Sequence, residues 1–190
     1  MVRRPSFGFQ HREVVPMSAR IVLTLAAITA CSTSAQAGEL FGGLYAHDVP
    51  TGITASGYER GVDFQLGYRF DPLDESGRWF VPAPHVFASV NSAGQTHYAV
   101  AGLSWKFGRQ VYFRPGVGLA IHDGPGTIDQ RDDRIEFGSR ILFAPEIGIG
   151  AQVSERVSVE ASWVHLSHAQ LFSEQNPGID NIGVRLNYRF

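Results

Sequence analysis

The C-terminal stretch constrains the fold more than any other part of the chain. Ile182, Val184, Leu186, Tyr188 and Phe190 share one parity, and Asn181, Gly183, Arg185, Asn187 and Arg189 share the other. A period of two is the signature of a strand with two different faces. Two arginines and two asparagines on one face suit the wet side of a soluble sheet as well as the lumen of a membrane barrel. The ending Tyr188-Arg189-Phe190 favours the barrel, because outer-membrane barrels commonly close on an aromatic residue.

The same alternation recurs upstream. Val62, Phe64, Leu66, Tyr68 and Phe70 alternate with Asp63, Gln65, Gly67 and Arg69. Val111, Phe113, Val117, Leu119 and Ile121 alternate with Tyr112, Arg114, Gly116, Gly118 and Ala120. Val157, Val159, Ala161 and Trp163 alternate with Ser158, Glu160 and Ser162. Membrane barrels are built from segments of about ten residues patterned this way. The expected fold is all-β: an eight-stranded antiparallel transmembrane β-barrel, with strands near 39–47, 58–70, 79–90, 95–107, 110–121, 134–151, 156–168 and 179–190. Pro82 and Pro84 make the third strand the least regular. Closure is required because an open sheet edge in lipid leaves backbone groups unpaired at several kcal/mol each. Eight strands leave a lumen about filled by side chains, where Glu136, Arg140, Glu146, Glu160, Arg185 and Arg189 are expected to pair. Charged residues make up only 18% of the chain, and 21 glycines and 12% aromatics accompany them, as an outward apolar wall requires. The net charge of -2 offers no basic stripe for nucleic acid. No long repeat or low-complexity tract divides the chain.

The N-terminus reads as a targeting signal. Met17-Ser18-Ala19-Arg20 leads into an apolar run from Ile21 to Ala30 and then Ala35-Gln36-Ala37. A basic start, a short apolar core and an Ala-x-Ala site describe a cleavable signal peptide, and the run is shorter than the ~20 residues a spanning helix needs. Residues 1–37 are therefore expected to be an N-terminal extension and signal peptide, and 38–190 the barrel domain. Met17 is a candidate true start. Cleavage at Cys31, the only cysteine, is an alternative on a lipoprotein-like pattern; cleavage after Ala37 leaves no cysteine for disulfide or thiol chemistry.

Chemistry concentrates near the C-terminus, in Val164-His165-Leu166-Ser167-His168-Ala169-Gln170-Leu171 and the following Asn176-Pro177-Gly178-Ile179-Asp180. On a strand, His165 and Ser167 point to one face with Cα atoms about 6.5–7 Å apart. A serine hydroxyl becomes a useful nucleophile when a base takes its proton, and the base needs a third group to fix its tautomer. Asp180 opens the next strand and can reach that neighbourhood if the two strands pair. By parity His165 and Ser167 join the face of Trp163, and Asp180 joins that of Ile182, so all three point outward at the extracellular end. Ionisable groups there are costly and usually mark function.

These residues resemble the C-terminal motif of the PagL-type lipid A 3-O-deacylases, which carries His-x-Ser-Asn on the seventh strand and an acid near the start of the eighth. The close likeness covers roughly 135–190, including Phe137–Ala151 and the Asn176-Pro177-Gly178 turn; the N-terminal half is alike only in architecture. The resemblance implies an eight-stranded outer-membrane barrel of a Gram-negative bacterium that removes the ester-linked 3-hydroxyacyl chain of lipid A. Ser167 would be the nucleophile, His165 the general base and Asp180 the orienting acid, with Glu174 an alternative acid. His168, Ala169 and Gln170 would support the oxyanion. His168 stands where the family commonly has Asn, Gln170 replaces a small residue, and Asp180 is shorter than the usual Glu. Lipid A or lipopolysaccharide and the outer-membrane assembly machinery are the expected partners, with a homodimer allowed and no nucleic acid.

Other features have plainer readings. His122, Asp123 and the charged run Asp129–Arg134 suit a solvated extracellular loop, and Trp79, Trp105 and Trp163 suit interfacial girdles. The seven histidines lack a His-Glu-x-x-His or similar metal spacing, so no metal and no cofactor are expected. The competing functions are a non-catalytic barrel with a structural or binding role and a barrel acyltransferase.

Overall fold

The computed structural model describes residues 38–54, 57–74, 80–127, 134–171 and 177–190. The expected signal segment, Cys31, Trp79, the run 128–133, Glu174 and Asn176 lie outside the described residues.

Among the described residues, nine strands lie in one antiparallel sheet: β1 (Glu39–Ala46), β2 (Val62–Arg69), β3 (Ala83–Asn91), β4 (Tyr98–Ser104), β5 (Phe107–Gly108), β6 (Val111–His122), β7 (Ile141–Gln152), β8 (Val157–Leu166) and β9 (Ile179–Arg189). β4 and β5 both pair with β6 and form one barrel strand interrupted at Trp105-Lys106. The barrel therefore has eight staves, and the pairing of β1 with β9 joins the first to the last. The expected strand faces hold. Val62, Phe64 and Leu66 are exposed, while Asp63, Gln65 and Arg69 between and beyond them are buried.

One departure has a clear cause. The sixth stave begins at Ile141, not at 134. Ile135 and Phe137 are buried, whereas Ile141, of the same parity, is 49% exposed. A continuous strand cannot turn the same parity both ways, so the phase must break between them. Gly138, at φ 72°, lies between the two phases; a left-handed backbone there suits a residue without Cβ. Ile135 and Phe137 thus join the buried apolar cluster with Leu142, Leu166 and Ile179 instead of continuing the wall.

The lumen is filled by charge. Arg114 Nη2 lies 2.7 Å from Glu160 and 3.3 Å from Glu146, Arg185 Nη1 lies 2.9 Å from Glu146, and His85 Nε2 lies 2.7 Å from Glu146. The Arg185 guanidinium also stacks over Phe41 and Phe87, at 4.8 and 5.1 Å. Of the expected ion-pair residues, Glu146, Glu160 and Arg185 meet here. Arg140 is exposed and donates to the Gly124 carbonyl, Arg189 is exposed, and Glu136 precedes β7 at the extracellular end. The fifth stave, β6, supplies the missing cation, Arg114.

With the barrel ends of the chain on the periplasmic side, the described residues 47–54, 57–61, 92–97, 123–127, 134–140, 167–171 and 177–178 lie at the extracellular end. A second polar cluster binds them. His47 Nε2 lies 2.9 Å from Glu59 and its Nδ1 2.9 Å from Asp63, with all three side chains buried. Glu59 also accepts from Thr96 N and Oγ1 and from Ile135 N, tying three segments to one carboxylate. Asp123, expected in a solvated loop, accepts from His97 N at 2.8 Å. Burial opposes charge on His47, but the hydrogen bonds and charges of Asp63 and Glu59 outweigh it and hold the imidazole up at about 9. A folded value above the unfolded one, ~6.5, makes the stabilisation complete below ~6.5 and lost as pH climbs through 9. Amide exchange of segment 47–61 is expected to accelerate between pH 7 and pH 10 beyond its chemical rate, and His47→Asn is expected to remove most of that extra pH dependence.

Candidate active site

Sheet register builds the site. β8 and β9 pair with His165 directly opposite Asp180. Side chains of opposed residues share a face, with Cβ atoms about 4.5–5.5 Å apart. Ser167, two residues beyond His165, continues that face. It is kept extended by its bridge to Phe143, with Phe143 N donating to Ser167 O at 2.7 Å and Ser167 N donating back at 3.1 Å. The face is the barrel's outer one, since Asp180 has the parity of Ile182, Val184 and Leu186, which are 43–56% exposed.

Asp180 Oδ1 lies 2.8 Å from His165 Nδ1, and His165 Nε2 lies 2.9 Å from Ser167 Oγ. A carboxylate only accepts, so Nδ1 carries the hydrogen, and a neutral ring leaves Nε2 to accept the Ser167 hydroxyl. Acid, base and hydroxyl thus form one line in the order that activating a nucleophile needs.

Three further donors reach Asp180 that the sequence reading did not assign. Trp163 Nε1 donates to Oδ1 at 2.8 Å. Thr51 Oγ1 and Thr54 Oγ1 both donate to Oδ2, the latter at 3.0 Å. Trp163, expected only in an interfacial girdle, is therefore also a ligand of the acid, and its ring lies 5.9 Å from that of His165. The outward parity of the three residues holds, but they are not open to lipid as that parity alone implies. The Asp180 side chain is fully buried, and His165 and Ser167 keep only 13% and 8% exposure. Gly178, at φ 61°, closes the site from the β9 side. A Cβ there would stand 2.9 Å from Thr54 Cγ2 and 3.3 Å from His165 Cε1.

The residues expected to support an oxyanion are divided. His168 falls on the opposite parity from Ser167 and is fully buried. Ala169 and Gln170 are exposed and take consecutive left-handed conformations, at φ 52° and 58°. For residues with a Cβ this costs on the order of 1–3 kcal/mol each. Successive backbone N–H groups in tight turns can form a concavity for an anion. Among the described residues, no group of three or more His, Cys, Asp or Glu is arranged to hold a metal ion.

The family model described as lipid A 3-O-deacylase (PagL) matches residues 62–189. The chain belongs to this family. Membership extends well beyond the 135–190 stretch that carries the close resemblance, and it places the barrel in the outer membrane of a Gram-negative bacterium. The crystal structure of the outer membrane enzyme PagL is similar, with a TM-score of 0.59 and 19% identity over 80% of this chain and 99% of that one. Neisserial surface protein A is similar at a TM-score of 0.54 and 10% identity, over 80% and 97% of the two chains. Identities this low speak for the fold alone. No curated protein sequence matches the chain.

Proposed function

We propose that the protein is a lipid A 3-O-deacylase that hydrolyses the ester-linked 3-hydroxyacyl chain of lipid A in the outer leaflet, with Ser167 as nucleophile, His165 as general base and Asp180 as the orienting acid. The observation that carries this reading is the unbroken line from Asp180 through His165 to Ser167, 2.8 and 2.9 Å long, on the outer wall at the extracellular end. An ester of an outer-leaflet lipid reaches that wall sideways, so the reaction needs no channel, and the filled lumen offers none.

Ser167 Oγ attacks the ester carbonyl while His165 Nε2 takes its proton. The Asp180 carboxylate stabilises the imidazolium and holds the ring. Backbone N–H groups of the turn after Ser167 meet the oxyanion. Collapse of the tetrahedral intermediate breaks the bond to the sugar oxygen, which takes the proton from His165, and leaves the acyl chain on Ser167. Water, deprotonated by the same imidazole, then releases the free 3-hydroxy fatty acid.

The placement of His168, buried on the parity opposite Ser167 where the family commonly has Asn, favours a second reading, a barrel without catalysis. Purified protein in vesicles containing 3-O-acylated lipid A separates the possibilities. Free 3-hydroxy fatty acid supports hydrolysis, the same chain on a second lipid indicates an acyltransferase, and an unchanged lipid supports the non-catalytic barrel.

A further inference from the structure

Segment 47–61 has no strand or helix among its described residues, yet it is fastened at many points. Val49 N donates to the Asp180 carbonyl at 2.7 Å and Asp48 N to Asn181 Oδ1 at 3.1 Å. Asp48 Oδ2 accepts from Gly57 N and Glu59 N, at 2.8 and 2.9 Å, which draws the segment into a closed loop. The far side of that loop is pinned by Glu59 through His47, Thr96 and Ile135. Surface connections are ordinarily the more mobile parts of a fold, so this density of ties calls for a purpose. What the loop delivers is two hydroxyls, Thr51 and Thr54, both on Asp180 Oδ2.

The division of donors is informative. Oδ1 serves His165 and Trp163, whereas among the described residues Oδ2 serves the two threonines. An aspartate carboxylate can turn about its terminal torsion, which is broad and nearly two-fold. A turn of this carboxylate exchanges the oxygen facing His165 and slackens the line to Ser167. Two hydroxyls on the second oxygen oppose that turn. Neither threonine can do this by sequence proximity, since 129 and 126 positions separate them from Asp180. Both precede residues 62–189, so the family match does not extend to them.

We propose that Thr51 and Thr54 are positioning residues for ester hydrolysis, carried on the 47–61 strap, which clamps the second oxygen of Asp180 and so sets the angle of His165 towards Ser167. This rests on Asp180 being the orienting acid, as proposed above. The clamp acts on the chemical step and not on binding of the lipid, because its two hydroxyls donate to the acid.

The test compares Thr51→Val/Thr54→Val with Thr51→Ser/Thr54→Ser in vesicles containing 3-O-acylated lipid A, with Ser167→Ala alongside. The valine pair keeps the shape and removes the hydroxyls; the serine pair keeps the hydroxyls. The valine pair is expected to lower kcat by about ten- to a hundredfold, the scale of a small misplacement at a reacting centre, with KM within about twofold. The serine pair is expected to retain most of kcat. A folded valine pair at wild-type kcat overturns the clamp, and so does a serine pair as impaired as the valine pair, because packing and not hydroxyl donation would then be at work. Should the valine pair fail to fold, Thr54→Val alone decides by the same split. Wild-type protein without Ser167-dependent release overturns the catalytic reading and the clamp with it, whereas Ser167-dependent release that the valine pair does not slow removes only the clamp.

Discussion

Ser167→Ala is expected to leave lipid A intact while the barrel folds normally, a loss of about a thousandfold or more in kcat. Ser167 Oγ is the atom that His165 Nε2 faces at 2.9 Å, so the substitution removes the proposed nucleophile and spares the imidazole and Asp180. His165→Ala removes the base and should cost a comparable amount. Residues that act as a unit are grossly non-additive, and losing either nucleophile or base costs about as much as losing both. The double variant is therefore expected to be no slower than either single one. Release of 3-hydroxy fatty acid checks the rate, and heat-modifiable electrophoretic mobility checks that the barrel is intact. Losses that multiply in the double variant would argue against a single nucleophile–base unit.

The largest effect on stability is expected at Glu146. Its carboxylate meets His85 on one oxygen and both Arg114 and Arg185 on the other, and the side chain is fully buried. Removing one member of a buried charge cluster strands the rest, at about 3–5 kcal/mol. Glu146→Ala leaves the two guanidiniums to Glu160 alone, in a lumen closed by Tyr45, Phe41 and Phe87. The urea midpoint of the barrel in vesicles is expected to fall accordingly. Glu155→Ala, in the exposed turn between β7 and β8, is expected to leave it unchanged. An unmoved midpoint for Glu146→Ala would mean that the lumen hydrates readily around the arginines.

The parts of this molecule that were legible in the sequence are those governed by the period of two. Strand faces follow from it, and so does the shared outward side of His165 and Ser167. The opposition of His165 and Asp180 follows once β8 and β9 pair as a hairpin. Features that depend on contact between distant segments were not legible. Arg114 shows its inward parity, but nothing local says that it joins Glu160, 46 positions away. Thr51 and Thr54 sit in an irregular segment with no periodicity to orient them. Trp163 reads as one more wall aromatic until the register brings its indole N–H to Asp180. The phase break at Gly138 hid because the apolar alternation runs through it; only the burial of Ile135 and Phe137 against the exposure of Ile141 exposes the change.

A serine-dependent cut in an outer-leaflet lipid is the central proposal. The most direct measurement is mass spectrometry of lipid A from matched membranes holding the wild-type protein, Ser167→Ala at equal abundance, or neither. Loss of one 3-hydroxyacyl chain with the wild type alone is the predicted result. Identical lipid A in all three membranes, or the same loss with Ser167→Ala, would contradict it.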